Sequence, residues 1–97
     1  MYALVVIRYR RPMEEVVAVT PEHRAYLREL KAQGTLVASG PFDPRTGGAL
    51  LVRIDDAEVH TVLDRIRDND PFWVKGIAQY ELIPWNVVMG KEGLDSI

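Results

Sequence analysis

The sequence contains no cysteine, and this absence excludes several kinds of chemistry at once. Without thiols the chain cannot form disulfide bonds, use a cysteine nucleophile or bind a metal through thiolates. A protein without disulfides fits a reducing compartment. We therefore expect a cytoplasmic protein.

An excess of positive charge is also lacking. The chain has 12 basic and 14 acidic residues, which gives a net charge of −2. Nucleic acid and anionic lipid attract cationic surfaces, and this balance provides no cationic field. We expect neither nucleic acid nor membrane as a partner.

Long hydrophobic runs are missing as well. The apolar segment from Tyr2 to Ile7 is much too short to span a membrane. Arg8, Arg10 and Arg11 follow this segment, whereas a signal peptide carries its basic residues before the apolar run. The three arginines belong either to a solvated loop or to the rim of an anion site.

The composition is that of one folded domain over residues 1–97. Hydrophobic residues make up 47% of the 97 residues and charged residues 27%, which is ordinary for a globular protein. We place the core at about residues 1–85 and a C-terminal tail at residues 86–97. A domain this small leaves much of its surface in water unless a partner covers it.

Four segments have the residue pattern of β-strands. The second and third are predicted to form a hairpin whose tip is Phe42 to Gly47, because Asp-Pro starts a turn and glycine permits positive φ. Pro84 is predicted to end the fourth. The segments are Tyr2 to Tyr9, Thr35 to Pro41, Gly48 to Ile54 and Lys75 to Ile83.

Two helices lie between the strands. Arg10 to Val19 is predicted to be a loop with room for one helical turn, and Thr20-Pro21 is predicted to start the first helix as cap and first position. Gly34 is predicted to end it in a left-handed conformation. The second helix is predicted to start with a capping box at Asp55 and Glu58 and to end near Asn69. Its buried stripe is Val59, Val62, Leu63 and Ile66.

The order strand, helix, strand, strand, helix, strand predicts an α+β fold of the ferredoxin-like type. Its antiparallel four-stranded sheet has the strand order fourth, first, third, second, with both helices on one face. The opposite face is left bare although each strand places apolar side chains on it. We therefore expect a homodimer through that sheet face, with two-fold symmetry.

This strand order brings three distant segments to one end of the sheet: Thr20 to His23, Ser39 to Phe42, and Asp70 to Trp73. In the first turn of the predicted helix, the helix dipole favours a neutral His23 that can accept a proton. Asp70 is the acid best placed to orient it. Alternatively, His23 hydrogen-bonds a loop carbonyl and Asp70 is a turn residue before Pro71.

Other residues at this end are candidates for binding a ligand. Ser39, Gly40 and Pro41 offer a hydroxyl and an approachable backbone, although the end of a strand needs similar residues. Three aromatic residues, Phe42, Trp73 and Trp85, either wall a pocket for a planar ligand or fill the core and the interface, and for Trp85 we prefer the interface. Phe72 is a further candidate for ligand contact.

No metal or cofactor is expected. His60 has Asp64 four residues later, which is typical of an exposed surface pair on a helix. The two histidines lie on different predicted helices without close ligand spacing.

Four motifs in this order resemble the YciI family, also called YCII-related proteins, over roughly Met1 to Trp85. The resemblance implies a dimeric α/β barrel with a suspected His-Asp active site, here His23 and Asp70 with Ser39 and Gly40 beside them. The motifs are T-P-E-H-R-A-Y-L at Thr20 to Leu27, L-V-A-S-G-P at Leu36 to Pro41, D-P-F-W-V-K-G at Asp70 to Gly76, and P-W at Pro84-Trp85.

Relatives in the family or its wider superfamily include a dehydrochlorinase of a chlorinated hydroxyhydroquinone, muconolactone isomerases and cofactor-free monooxygenases. The resemblance thus implies proton transfer on small, often aromatic-derived molecules. Two features depart from the family pattern: the segment between the second and third strands is short, and Arg24 follows the histidine where an apolar residue is common.

Three hypotheses follow. The first is a small cofactor-independent lyase or isomerase in which His23 takes a proton from a cyclic or enol-type substrate and Asp70 orients it. The second is a non-catalytic module that binds a metabolite or a partner, and the third is a dimer without a small-molecule site. A solvent-accessible cleft containing a hydrogen-bonded His23 and Asp70 would favour the first over the other two.

Overall fold

The computed structural model describes residues 1–97. Four strands, two long helices, two short helices and one 3₁₀ turn follow one another along the chain. In order they are β1 (Tyr2–Tyr9), α1 (Met13–Ala32), β2 (Leu36–Pro41), β3 (Gly47–Arg53), the 3₁₀ turn (Asp56–Glu58), α2 (Val59–Asp68), α3 (Pro71–Val74), β4 (Ala78–Trp85) and α4 (Lys91–Asp95).

The strands form one antiparallel sheet in the order β2-β3-β1-β4. Val5 in the central strand β1 lies opposite Leu50 of β3 on one side and Leu82 of β4 on the other. This confirms the α+β, ferredoxin-like fold and the predicted strand order. None of the helices combines the length and hydropathy that crossing a bilayer requires.

The core lies between the helices and one face of the sheet. Ala3, Val5 and Ile7 of β1 are fully buried, whereas Leu4 and Val6 between them are half-buried on the opposite, open face. This alternation follows from the two-residue period of a strand. Helix α1 packs against β2 and α3, and α2 packs against β1 and β4.

Helix α1 begins at Met13, so the predicted start at Thr20-Pro21 is wrong. Pro21 lies inside the helix, where it cannot donate to the carbonyl of Val17. Val17 is exposed, so water can satisfy that carbonyl, and the Thr20 hydroxyl donates to the Val16 carbonyl at 2.7 Å. Val16 is fully buried, and this packing offsets the cost of an internal proline.

The start of α2 also differs from the prediction. Neither the Asp55 nor the Glu58 side chain caps a helix, and the 3₁₀ turn occupies the place of the capping box. The N-terminal ammonium of Met1 donates to the Ile54 carbonyl and pairs with Asp56, both near this turn. Val59 and Leu63 of the predicted stripe are buried, as expected.

Strand β4 begins at Ala78 and not at Lys75, because α3 and the positive φ of Gly76 come first. Pro84 does not end the strand: it pairs with Ala3. Proline is tolerated there because β4 lies at the edge of the sheet and needs no donor on its outer side.

The C-terminal tail folds back on its own chain. The Tyr2 hydroxyl donates to Asp95 at 2.6 Å and the Arg53 guanidinium donates to the Leu94 carbonyl at 2.6 Å. Val87 is buried. Helix α4 therefore covers the end of the open face where β1 starts.

Candidate functional site

A cavity of about 220 Å³ lies between α1 and the β2–β3 hairpin. Helix α1 forms one wall, the hairpin forms the floor, and the ends of β1 and α3 close the remaining sides. The lining residues are Ile7, Tyr9, Thr20, His23, Arg24, Leu27, Ser39, Gly40, Pro41, Arg45, Gly48, Ala49, Leu50 and Phe72.

The cavity exists because the helix-facing side of the sheet carries small residues at this end. Pro41 is paired with Gly48 here, whereas Leu36 is paired with Val52 toward the other end and fills the core. A Cβ atom on Gly48 would lie 2.6 Å from the Gly40 carbonyl oxygen. Glycine at position 48 thus lets the two strands approach and leaves room above them.

His23 and Asp70 form a direct hydrogen bond at the inner wall of the cavity. The distance from His23 Nδ1 to Asp70 Oδ1 is 2.8 Å. The carboxylate is fully buried, while His23 lines the cavity and its ring stacks on Phe72 with centroids 4.1 Å apart. A carboxylate bonded to Nδ1 keeps the proton on that nitrogen and leaves Nε2 as the acceptor.

The neighbourhood of Asp70 explains why its position is fixed. Asp70 is the N-cap of α3, where its Oδ1 accepts a hydrogen bond from the Phe72 amide at 3.0 Å. Pro71 follows at the first helical position, where its missing donor costs nothing. The same oxygen therefore starts α3 and holds His23.

The predicted role of the helix dipole is wrong, because His23 lies in the middle of α1 and not in its first turn. The dipole acts mainly within the first and last turns of a helix. The contact that orients His23 is therefore Asp70, which reaches it from the loop after α2.

Two tyrosines lie near Asp70. Its Oδ2 has no hydrogen-bond partner, and neither has the buried hydroxyl of Tyr80. Burial, together with the charge of Asp70, raises the pKa of Tyr80 above its usual value. Burial and the charges of Asp70 and Glu29 raise the pKa of Tyr26 from 10.0 to about 12, and its hydroxyl donates to the Ile66 carbonyl.

We expect these shifts to make the protein less stable at high pH. The folded state holds the tyrosine protons to higher pH than the unfolded state, so this stability is complete below about pH 10 and falls as pH rises toward 12. Urea unfolding across this range measures the loss. Tyr26→Phe keeps the ring and cannot ionise, so its free energy of unfolding is expected to fall less steeply with pH. An identical slope in the two proteins would contradict the assignment of this loss to Tyr26.

The structure brings together most of the candidates for ligand binding. Ser39, Gly40, Pro41 and Phe72 all line the cavity with His23. All five therefore remain candidates for ligand contact.

Phe42 and Trp73, which were predicted either to wall a pocket or to fill the core and the interface, do not line the cavity. The cap at Asp70 turns Phe72 inward, and Trp73, the next residue on the short helix, is 41% exposed. Arg67 lies 4.8 Å over its ring. The Phe42 ring lies under Arg8 at 6.0 Å.

Tyr9, Leu27 and Arg45 line the cavity as well, although they were not among the predicted site residues. Arg45 had a usable signal, because it lies in the hairpin tip that was predicted to reach this end of the sheet. Tyr9 packs edge-on against Phe72 at 5.8 Å, a contact that no sequence pattern indicates.

No group of three or more histidine, cysteine, aspartate or glutamate side chains is arranged to hold a metal ion. His60 is exposed on α2 and does not line the cavity. His23 Nδ1 and Asp70 Oδ1 are hydrogen-bonded to each other.

The fold defines the class: a ferredoxin-like domain of the dimeric α/β-barrel type. The YCII-related domain family matches residues 1–86, and the chain belongs to this family. This confirms the resemblance found in the four motifs.

One solved structure shows how far the likeness extends. The 5-chloro-2-hydroxyhydroquinone dehydrochlorinase of Burkholderia phenoliruptrix AC1100, in complex with 2,5-dihydroxybenzoquinone, is similar to this chain at 26% sequence identity and a TM-score of 0.70. The match covers 91% of this chain and 96% of that one. Among curated proteins, no significant match was found.

Proposed function

We propose that the protein is a small cofactor-independent lyase or isomerase that moves a proton on a small cyclic or aromatic-derived molecule. The observation that carries the proposal is the hydrogen bond from His23 Nδ1 to a fully buried Asp70 at the wall of an accessible cavity. That arrangement prepares Nε2 to accept a proton from a bound molecule.

The chemistry requires only residues of this chain. His23 Nε2 accepts a proton from a hydroxyl or a ring carbon, and the electron pair of the broken bond moves into the ring. There it expels a leaving group such as chloride, after which the imidazolium loses its proton to water, or it shifts a double bond and the imidazolium returns the proton to another ring carbon. Asp70 stabilises the imidazolium that forms, as a carboxylate behind a catalytic histidine does.

The surroundings of His23 favour a planar ligand. Phe72 and Tyr9 present aromatic surfaces, Leu27 adds an apolar wall, and Ser39 supplies a hydroxyl. The structure of the similar dehydrochlorinase contains 2,5-dihydroxybenzoquinone, which is a planar molecule of one ring. We place such an enzyme in the cytoplasm.

The test is a screen of hydroxylated and chlorinated aromatic compounds for chloride release and, by NMR in D₂O, for exchange of ring hydrogens. We expect the wild type to act on at least one compound and His23→Asn to lose that activity. Binding without exchange or chloride release would instead support the alternative, a non-catalytic metabolite-binding module. If no compound binds and none is turned over, the result would support the third hypothesis, a dimer without a ligand site.

We further propose that two copies pair through the open face of the sheet. Leu4, Val6, Leu51 and Ile83 are half-buried there in the isolated chain, and Trp85 beside them is 42% exposed. Covering such side chains stabilises by about 25 cal/mol per Å² of apolar surface removed from water. A second copy with the same face satisfies both chains.

Val6→Asp is expected to convert the dimer into a monomer, because each copy would bury an unpaired carboxylate at the centre of the contact. Light scattering coupled to size exclusion measures the mass. Arg28→Asp, on the exposed side of α1, is the control and is expected to leave the dimer intact. A wild type that is monomeric at all concentrations would rule this interface out.

A further inference from the structure

The cavity is positively charged although the chain carries a net charge of −2. Its ionisable side chains are His23, Arg24, Arg45 and Tyr9, and no aspartate or glutamate lines it. Asp70, the nearest carboxylate, is fully buried behind His23. A ligand in the cavity therefore meets two arginines and no aspartate or glutamate side chain.

Arg45 is the charged residue most firmly built into this wall. It extends from the hairpin tip and is half-buried, with its guanidinium carbon 5.9 Å from the centre of the Tyr9 ring. Its Nε donates to the Tyr9 hydroxyl at 3.4 Å and its second terminal nitrogen donates to Thr20 Oγ1 at 3.3 Å. Stacking and two hydrogen bonds thus hold the guanidinium in one place.

The guanidinium still lacks a charged partner. No carboxylate forms an ion pair with Arg45, and both of its acceptors are neutral hydroxyls at long distance. A guanidinium has five N–H donors, so three remain free. A partly desolvated arginine with free donors is suited to an anionic oxygen.

Arg45 and His23 line the same cavity. Thr20, which accepts from Arg45, lies three residues before His23 on the same helix face. Residues at this spacing have Cβ atoms about 5–6 Å apart. A single ligand in the cavity can therefore contact both side chains.

We propose that Arg45 binds the anionic oxygen of the substrate. The substrate is then an acidic ring compound, such as an enol or a phenol, that binds as its anion. This rests on the proposed function and specifies its substrate class. Arg45 contacts the oxygen that is not reacting, while His23 accepts the proton on the far side. Binding the negative charge away from His23 orients the ring for that transfer.

The test compares two probes by calorimetry. 2,5-Dihydroxybenzoquinone is an acidic enol and an anion at neutral pH, and its dimethyl ether has the same ring without the charge. We expect the wild type to bind the anion and to bind the ether much more weakly. We expect Arg45→Gln to lower the affinity for the anion about tenfold to a hundredfold, which is the range for a hydrogen bond to a charged group. The salt dependence of binding should fall as well.

Arg28→Gln is the matched control, because it removes one exposed positive charge from α1 without changing the cavity. It is expected to leave both affinities unchanged, and Arg45→Lys should retain part of the affinity for the anion. The proposal is overturned if the wild type does not bind the anion, if it binds both probes equally, or if Arg45→Gln binds the anion as tightly as the wild type.

Failure of this proposal can be told from failure of the proposed function. If turnover needs His23 but Arg45→Gln has the same KM as the wild type, the anion site is overturned and the proposal of proton transfer is unaffected. If the anion binds and its binding needs Arg45, but no ring compound is turned over, the anion site is supported and the protein is not an enzyme.

Discussion

His23→Asn is expected to lower kcat by about 10²- to 10⁴-fold, the contribution of a general base, while the protein stays folded. Asparagine has no group that accepts a proton at neutral pH. Its amide can still donate toward Asp70, so the buried carboxylate keeps a partner. Steady-state kinetics on the substrate found in the screen, with circular dichroism to check the fold, measures both.

His60→Asn is the control for this substitution. His60 is exposed on α2 and does not line the cavity, so its replacement removes a histidine without changing the cavity. We expect its kcat to equal that of the wild type. A His23→Asn variant with kcat within a few-fold of the wild type would refute the assignment of His23 as the base.

Asp70→Ala is expected to have the largest effect on stability, a loss of roughly 2–4 kcal/mol, because it removes a buried carboxylate that accepts two hydrogen bonds, and a hydrogen bond to a charged group contributes about 1.5–3 kcal/mol. It removes the acceptor for His23 Nδ1 and the cap of α3 together. For a domain of this size the melting temperature should fall on the order of 20 °C. Calorimetry or thermal unfolding followed by circular dichroism measures the change.

Asp70→Asn separates the shape of this side chain from its charge. The amide oxygen can accept from both His23 and the Phe72 amide, so both hydrogen bonds of Oδ1 are kept. We expect a much smaller loss of stability than in Asp70→Ala but a large loss of kcat, because no charge stabilises the imidazolium. If the two variants unfold at the same temperature, Asp70 does not stabilise α3 and His23 through these hydrogen bonds.

The strand order could be predicted because the sequence order of strands and helices defines the ferredoxin-like topology, which has one usual strand order. The sequence could not distinguish two similar dipeptides. Thr20-Pro21 lies inside α1, whereas Asp70-Pro71 caps α3. The difference lies upstream: the buried residues Val16 and Val19 are one helical turn apart and extend the helix before Pro21.

The meeting of His23 with Asp70 and Ser39 could be predicted because strand order alone brings their segments to one end. The direction of individual side chains could not. Trp73 turns outward because the cap at Asp70 sets the rotation of α3, and Arg45 turns inward because Tyr9 and Thr20 accept its hydrogen bonds. Both depend on contacts between residues far apart in sequence.

The close approach of β2 and β3 at Gly48 limits how the cavity can change during evolution. A side chain at this position would collide with the backbone of Gly40, and backbone yields less readily than a flexible side chain. Position 48 is therefore closed to substitution, whereas a Cβ atom on Gly40, which also lines the cavity, would meet nothing within 4 Å. Descendants of this protein that acquire other ligands can change the cavity at Gly40 or at Leu27 on the opposite wall, but not at Gly48.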